Sequence, residues 1–260
     1  MKTRQIKTEI ISNIRIALRC YKIALAAPAI AKAAKPGNFL MVKVSSGMEP
    51  FLRRPLSVHR VDPARGGVEL LYEVAGTGTE VLSRKKTGEL VDVIGPLGNG
   101  FSIDARARRS RAILVAGGMG VAPLVFLAQR LKTDKTTVLI GGRTAAHILC
   151  VKDFRKLGCD VRIATDDGSS GFHGRVTGLL EKMLEGGAKP DRFLYGCGPE
   201  PMLKAMSGLC GRLGVEAQIS LENHMACGIG ACLGCVVQTK SGFQRVCKEG
   251  PVFQANDVVW

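Results

Sequence analysis

Four cysteines near the end of the chain stand at a spacing that can do chemistry. Cys227, Cys232, Cys235 and Cys247 form the pattern Cys-x4-Cys-x2-Cys-x11-Cys. The first three match the loop of plant-type [2Fe–2S] proteins, in which a fourth thiolate arrives from further along the chain. Such a cluster needs four thiolates converging on two irons. One wrapped loop supplies three and a return segment supplies the last. Ala226, Gly228, Gly230, Ala231 and Gly234 lie between them, and residues this small let backbone amides approach the cluster sulfurs. Zinc is the rival ligand, although it favours pairs separated by two residues. Inert buried thiols are the other alternative. The chain has nine cysteines, an odd number, with four in its last 34 residues. That distribution suits a metal site in a reducing compartment better than a disulfide framework.

Glycine-rich loops carry a second kind of chemistry. Ala116-Gly117-Gly118-Met119-Gly120-Val121-Ala122-Pro123 joins an apolar run to a helical stretch. Gly117, Gly118 and Gly120 would let the backbone approach a pyrophosphate at a helix N-terminus. The order of glycines is not Gly-x-Gly-x-x-Gly, so the usual dinucleotide fingerprint is absent. A tight turn that simply needs glycine remains the alternative. Tyr195-Gly196-Cys197-Gly198-Pro199 is a second such loop, and in a parallel sheet both would share the edge where ligands bind. Cys197, Gly198 and Pro199 are therefore candidates for the nicotinamide end, with Cys197 positioning the ring or serving as a small buried residue. Gly141-Gly142-Arg143-Thr144 and Thr165-Asp166-Asp167-Gly168-Ser169 end two further strands. Arg143 would meet an adenosine phosphate or be solvated. The two acids, Asp167 among them, would contact a ribose or cap a turn.

The N-terminal half has its own constellation. In Arg54-Pro55-Leu56-Ser57, the arginine offers a planar fork to a phosphate and the serine a further hydrogen bond. Leu71-Tyr72-Glu73-Val74 leads into Gly76-Thr77-Gly78-Thr79, where backbone amides and the Thr79 hydroxyl would face a pyrophosphate. Singly, Arg54 reads equally as a surface ion pair and Gly76–Thr79 as a hairpin turn.

The elements that must position these groups fall into three stretches. Residues 1–104 carry short apolar runs, such as Phe39–Val44 and Val68–Val74, broken at Pro36-Gly37, Ser46-Gly47, Gly66-Gly67 and Gly95–Gly100. This spacing predicts a small antiparallel β-barrel. The Ala-rich segment Ala24–Ala34 reads as a helical turn or a loop. The basic run Arg106–Arg111 reads as a linker. Residues 105–220 then alternate strands (Ala112–Ala116, Thr137–Ile140, Val161–Ala164, Phe193–Tyr195) with helices (Pro123–Leu131, Val176–Glu185, Pro201–Leu213). That alternation predicts a parallel α/β sheet. Residues 221–260 hold the cysteines.

Composition narrows the function classes. The chain has 260 residues, 46% hydrophobic and 23% charged, with a net charge of +15, ordinary for a globular protein. No apolar run approaches the ~20 residues that span a bilayer, and the N-terminus lacks a signal core. A cytoplasmic location, with no membrane partner, is the expectation. The positive field suits nucleotide phosphates or an acidic partner, or is a plain solvated surface. Aromatics are only 5%, which leaves few platforms for stacking single-stranded nucleic acid.

Arg-Pro-Leu-Ser, Gly-Thr-Gly-Thr, Gly-Gly-Met-Gly-Val-Ala-Pro and Cys-Gly-Pro, in that order, resemble the ferredoxin–NAD(P) reductase superfamily. The segments Glu222–Cys232, Arg245-Val246-Cys247 and Gly250–Phe253 narrow the likeness to electron-transfer subunits of two-subunit, NAD-linked dihydroorotate dehydrogenases. The resemblance covers nearly the whole chain. It implies a flavin-binding β-barrel over 1–104, an NAD-binding α/β domain over 105–220 and a [2Fe–2S] domain over 221–260. It implies that Arg54, Pro55, Leu56, Ser57, Leu71, Tyr72, Glu73, Gly78 and Thr79 hold FAD. It implies an oxidoreductase component of pyrimidine biosynthesis that carries electrons from a flavin-bearing, dihydroorotate-oxidising catalytic subunit by way of [2Fe–2S] and FAD to NAD. The implied assembly is a heterotetramer, two of each subunit. An NAD(P)H-dependent reductase of another complex is the alternative, and a redox sensor or nucleic-acid binder a remote one.

Overall fold

The computed structural model describes residues 3–45, 47–131, 135–185 and 191–260. Six antiparallel strands close a barrel in the order β1-β2-β5-β4-β3-β6. They are β1 (Arg4–Ala17), β2 (Cys20–Ala26), β3 (Phe39–Lys43), β4 (Arg54–Asp62), β5 (Gly67–Glu73) and β6 (Leu90–Leu97). Strand β1 is long enough to serve two neighbours. Its first half pairs with β6, Arg4 opposite Gly95, and its second half with β2, Ile10 opposite Leu25. This double use closes the barrel and removes the free edges of a small sheet. Ile10, Ile23, Leu25, Leu40, Val58, Leu70 and Val93 fill the interior.

The Ala-rich segment is divided between two elements. Cys20–Ala26 is β2, and Pro28–Ala33 is a helix, α1, with proline at its start. Pro at the first helical turn costs no hydrogen bond, and Ile30 and Ala31 anchor the turn against the barrel. Gly76–Thr79, for which a hairpin turn was one of the two readings, instead opens a second helix, α2 (Thr77–Ser83). The linker expected at Arg106–Arg111 is also a correction: Ala105–Arg109 is a short helix, α3, and Arg111 already begins β7. Asp104 Oδ1 accepts the Ala107 amide at 2.8 Å, and Ala107 is buried. An N-capping acid and one buried face outweigh the repulsion of the arginines. The turn expected at Ser46-Gly47 includes Ser46, which lies outside the described residues.

A seven-stranded sheet follows, in the order β10-β9-β8-β7-β11-β12-β15. Its strands are β7 (Arg111–Gly117), β8 (Thr136–Gly142), β9 (Asp160–Thr165), β10 (Phe172–His173), β11 (Arg192–Cys197), β12 (Glu216–Ser220) and β15 (Val252–Gln254). All neighbours are parallel except β12 and β15. The apolar runs of β7, β8 and β11 are buried as expected of strands covered on both faces. The flanking helices are α4 (Val121–Ala128), α5 (Val151–Lys156), α6 (Val176–Glu185) and α7 (Glu200–Leu213). Strands β13 (Val236–Thr239) and β14 (Gly242–Arg245) make a separate hairpin. After that hairpin, β15 returns to the large sheet, Ile219 opposite Phe253. The cysteine-bearing tail is thereby tied to the α/β layer at its far end. Among the described residues no helix is long and apolar enough to cross a membrane.

Barrel and sheet share α4. All eight of its residues are buried. Phe126 packs into the barrel core, whereas Val121, Leu124, Val125 and Leu127 pack into the core of the large sheet. Strand β4 lies against this helix, and His59, 1% exposed, points its Nδ1 at the Ala122 carbonyl, 3.0 Å away. Burial lowers the His59 pKa from 6.5 to about 4, against the opposing pull of the Ala122 carbonyl; Arg60 and Lys22 lower it further and Asp153 raises it. The imidazole is therefore neutral in the folded protein at neutral pH. Between pH 6.5 and 4 the unfolded chain binds a proton there that the folded chain refuses. Stability from this group is complete above the unfolded pKa and falls by up to about 3 kcal/mol as the pH drops toward 4. Urea titrations at pH 7 and 4.5 should show a larger acid loss for the parent protein than for His59→Leu.

Candidate functional site

The C-terminal edge of the parallel sheet opens into a cleft of about 590 Å³. Gly117, Gly118, Met119 and Gly120 reach it from the end of β7. Gly142 and Arg143 come from β8, Asp166 from β9, Gly198 and Pro199 from β11, and Glu222 from β12. Glu73, the last residue of barrel strand β5, forms part of the opposite wall. The carboxyl ends of parallel strands are the usual location of ligands in such sheets, and Glu73 brings the barrel to that edge.

Two glycine loops touch at the floor of the cleft. A Cβ built on Gly120 would lie 2.0 Å from the Cys197 carbonyl oxygen and 2.8 Å from the Gly198 amide. A Cβ on Gly117 would meet Pro199 and Met202 at 2.8 Å. Gly118 has φ +52°, the left-handed region that favours glycine. So Gly117, Gly118, Gly120, Gly198 and Pro199 are brought together.

The other dinucleotide candidates divide. Arg143 lines the cleft, and no described residue pairs with its guanidinium. Cys197 is 2% exposed and lies behind the lining, not in it. Burial, then the charge of Glu222, push its thiol pKa well up, with Ser220 opposing. Asp167 also turns away: its Oδ1 accepts the Ser169 hydroxyl at 2.6 Å and the Ser169 amide at 3.0 Å, which hold its pKa below the usual range. The adjacent Asp166 lines the cleft instead. His147, Arg175 and Glu222 were not singled out from sequence. Glu222 lies two residues beyond β12 and Arg175 directly precedes α6, so position near a strand or helix end was the available signal. Glu222 is exposed to the cleft yet surrounded by protein on its other sides, and burial raises its pKa.

On the barrel, Arg54 and Gly78 meet. A Cβ on Gly78 would fall 2.1 Å from Arg54 Nε, so the guanidinium lies flat over the first turn of α2, and its Nη1 donates to the Leu52 carbonyl. Ser57 is half-buried, and no described residue pairs with its hydroxyl. Thr79 differs from the expectation. Its Oγ1 donates to the Gly76 carbonyl at 3.1 Å and accepts the Ala75 amide at 3.0 Å. Its hydroxyl closes its own turn. Alternation along β5 separates the next two candidates. Leu71 packs in the core of the large sheet, and Tyr72 packs in the barrel with its hydroxyl on Asn13 Oδ1 at 3.0 Å. Burial drives the Tyr72 pKa upward. Any ligand contact from Leu71 and Tyr72 would use backbone atoms.

The four candidate thiols form two pairs. The Cys232 amide reaches the Cys227 sulfur, and the Cys247 amide reaches the Cys235 sulfur. Backbone amides converge on the sulfurs: Ile229 and Cys232 on Cys227 at 3.5 and 3.4 Å, Gly234 on Cys232 at 3.5 Å, and Cys247 on Cys235 at 3.4 Å. Burial opposes ionisation of Cys227, yet the amides of Ile229 and Cys232 and the Cys232 thiol together hold its pKa at about 6. Burial, then the Cys235 thiol, push Cys247 up to about 12. The β13–β14 hairpin sets the second pair, because the Val246 amide donates to the Cys235 carbonyl at 2.9 Å. Left-handed backbone at Gly228, Gly230 and Leu233 wraps the loop. Arg245 fastens it, donating to the Gly230 carbonyl at 2.8 Å and pairing with Glu249. Among the described residues no three such side chains close on a single-ion site. Two thiol pairs ringed by amides fit a dinuclear iron–sulfur group better than one zinc ion, whose four ligands must reach one centre.

The loop lies on the barrel. A Cβ on Gly228 would meet Met41 Cγ at 2.4 Å. Met41 is in β3, directly opposite Pro55 of β4. The thiol loop is thus one strand away from the Arg54–Ser57 run, and the cleft lies at the end of β5, the strand on the other side of β4.

Comparison with known proteins agrees with this arrangement. Residues 222–259 match the family described as the iron–sulfur cluster binding domain of dihydroorotate dehydrogenase B, and residues 114–208 match the oxidoreductase NAD-binding domain. The chain is 40% identical to the dihydroorotate dehydrogenase B (NAD(+)) electron transfer subunit of Desulforamulus reducens, covering 97% of each. It is 41% identical to the protein of that name from Geobacillus thermodenitrificans, covering 96% of each. Among solved structures it is similar to a chain of an NADH-dependent reduced ferredoxin–NADP oxidoreductase studied for flavin-based electron bifurcation. That match has a TM-score of 0.86 at 30% identity, over 97% of this chain and 90% of the other.

Proposed function

The chain belongs to the family of electron-transfer subunits of dihydroorotate dehydrogenase B (NAD(+)), and from that membership we propose that it links a dihydroorotate-oxidising catalytic subunit to NAD through two redox groups of its own. One observation carries the reading. The thiol loop, the Arg54–Ser57 strand and the glycine-lined cleft are consecutive in space, joined by the β3–β4–β5 neighbourhood of the barrel.

In this reading three functional units, 1–104, 105–220 and 221–260, serve flavin, dinucleotide and iron–sulfur cluster. Arg54 and the first turn of α2 at Gly78 and Thr79 hold the FAD pyrophosphate. Ser57 offers its free hydroxyl to the flavin ring, Pro55 and Leu56 shape the strand beneath it, and Leu71, Tyr72 and Glu73 contribute backbone. Gly117, Gly118, Gly120, Gly198 and Pro199 cradle NAD, with Arg143 and Asp166 toward its adenosine. Cys227, Cys232, Cys235 and Cys247 would hold [2Fe–2S]. When bound, the flavin would exchange the two electrons of a hydride for single electrons, which the cluster would carry one at a time. The protein's own part is to orient these groups, keep Cys235 and Cys247 dry, and leave Cys232 at the surface.

Ile229, Leu233 and Val236, within four residues of Cys232 along the chain, are exposed, and exposed apolar side chains of the cysteine loop are where the catalytic subunit would seat. The assembly is two of each subunit. Nine cysteines, four committed to a cluster, suit the reducing cytoplasm.

The test is an anaerobic visible spectrum of the purified chain with NADH and, separately, NADPH. A combined flavin and iron–sulfur spectrum that bleaches with NADH, and with dihydroorotate only when the catalytic subunit is added, supports the proposal. A colourless protein carrying zinc would sink it. The similarity to the ferredoxin–NADP oxidoreductase chain favours a second reading, a reductase subunit of another complex. Bleaching by reduced ferredoxin with no response to dihydroorotate and catalytic subunit would select it.

Arg245 gives a separate prediction. In Arg245→Gln the Glu249 pair is lost and the Gly230 carbonyl keeps at best one neutral donor. The cluster should then be stripped by an iron chelator several-fold faster, an effect in the range of outer-shell changes at metal sites, about 10-fold. Bleaching at the iron–sulfur absorbance measures it.

A further inference from the structure

The NAD cleft and the flavin strand belong to different layers, and something must set the distance between them. Among the described residues, two side-chain polar contacts run from barrel strand β4 to the helical layer. His59 Nδ1 meets the Ala122 carbonyl at 3.0 Å, and Arg60 donates to Asp153 of α5 at 2.8 Å. Asp153 is half-buried and Arg60 is likewise half-buried. The His59 contact is the deeper and the better placed. His59 is two residues beyond Ser57 on the same strand. Ala122 is two residues beyond Gly120 on the same helical run. Gly120 in turn is jammed against the Cys197 carbonyl.

A carbonyl can only accept, so His59 Nδ1 carries the proton. Burial keeps the ring neutral with that tautomer fixed. Both backbones are rigid where the bond is made: β4 is paired on both sides, to β3 and β5, and α4 is wholly buried between two cores. A bond between two such elements transmits position rather than absorbing it. Apart from Arg130 lying over the Phe126 ring, the packing of α4 described above is apolar and has no directional preference, so it resists separation better than sliding.

We propose that His59 is a positioning residue for hydride transfer: by tying β4 to the first turn of α4, it sets how the nicotinamide held by the Gly117–Gly120 loop lies over the flavin held by Arg54–Ser57. The proposal rests on the flavin and NAD sites proposed above. Hydride transfer needs reacting atoms at about 3–3.5 Å, and a 1 Å misplacement costs about 100-fold in rate. A link that prevents a small slide of α4 along β4 is enough to matter on that scale.

The experiment uses the full chain loaded with its cofactors. His59→Leu introduces an apolar side chain of similar bulk and removes the donor. His59→Asn keeps a donor nitrogen on Cγ, where Nδ1 stands in histidine. Stopped-flow reduction by NADH gives the hydride-transfer rate and the apparent affinity separately, and the long-wavelength nicotinamide–flavin charge-transfer band reports their stacking. H59L should slow hydride transfer by about 10- to 100-fold, weaken or shift the charge-transfer band, and leave flavin content and NADH affinity near the parent values. H59N should recover most of the rate and the band. If H59L fails to retain flavin, H59Q, whose donor sits one methylene further out, replaces it with the same expectation. A variant lacking the correctly placed donor that transfers hydride at the parent rate with an unchanged band overturns the proposal. Equal slowing in H59L and H59N also overturns it, since the donor would then not be the cause. A parent protein that NADH does not reduce overturns the underlying site reading as well, so the two failures are distinguishable.

Discussion

Cys232→Ser should leave the chain yellow but without its iron–sulfur spectrum. Cys232 is the exposed member of the four thiols, and its sulfur accepts the Gly234 amide while its own amide donates to Cys227. Replacing it removes one half of the Cys227–Cys232 pair. A serine oxygen is a harder, more basic ligand than thiolate, and iron–sulfur clusters are held by thiolates. The flavin residues are untouched, because Arg54, Ser57 and Gly78 make no contact with Cys232. FAD content and direct reduction by NADH should therefore stay near the parent values. Coupled transfer between dihydroorotate and NAD, measured with the catalytic subunit, should fall by more than the ~100-fold upper range of outer-shell changes at metal sites. The control is Cys197→Ser. That thiol is buried behind the NAD cleft, so its loss should leave the iron–sulfur spectrum unchanged. Full coupling by Cys232→Ser would mean that the route does not use these thiols.

The cysteine pattern and the buried parallel strands were readable because each is a local signal. Ligand spacing is written in consecutive residues, and a strand covered on both faces is apolar at every position, as in Ile113–Ala116. What could not be read depends on contacts between distant segments. Whether Asp166 or Asp167 faces the cleft is decided by Ser169, which captures Asp167 in a turn closed by Gly168 at φ +73°. The Thr79 hydroxyl looked free because nothing in Gly-Thr-Gly-Thr says that the segment starts a helix rather than a hairpin. The arginine run at 106–111 looked like a linker because its helix depends on one capping acid and one buried alanine. Tyr72 was placed in the right strand, whereas Cys197 was placed in the loop after Phe193–Tyr195 and β11 runs on to it; the face that each side chain occupies is set by the layer packed against it. The return of β15 to β12 is a contact across more than thirty residues, and no periodicity in the tail announces it.

The glycine loops allow a sharper discrimination between space and conformation. Gly120 has φ −59° and ψ −13°, a conformation any residue adopts. Its restriction is purely spatial: an added Cβ would overlap the Cys197 carbonyl oxygen at 2.0 Å and its carbon at 2.3 Å, both backbone atoms that cannot rotate away. Gly118 is the reverse case. Its φ of +52° disfavours a side chain, yet nothing lies within 4 Å of the position a Cβ would take. Gly118→Ala should cost about 1–2 kcal/mol of backbone strain and leave the two loops in contact. Gly120→Ala must push the β7 and β11 loops apart, an overpacking cost of about 1–3 kcal/mol in stability. The functional loss is larger than the stability loss, because the displaced loop is the one that seats the dinucleotide and a shift of 1 Å at the reacting centre costs about 100-fold. NADH-driven flavin reduction in Gly120→Ala should fall by that order while the flavin and iron–sulfur absorbance remain. In Gly118→Ala the fall should be smaller by at least several-fold. Rapid-mixing reduction with NADH, run on both variants at matched cofactor content, separates the two. Equal losses would show that the contact between Gly120 and Cys197 does not govern the seat. A larger loss in Gly118→Ala would shift the seat to the left-handed residue, whose amide then matters more than the packing beneath it.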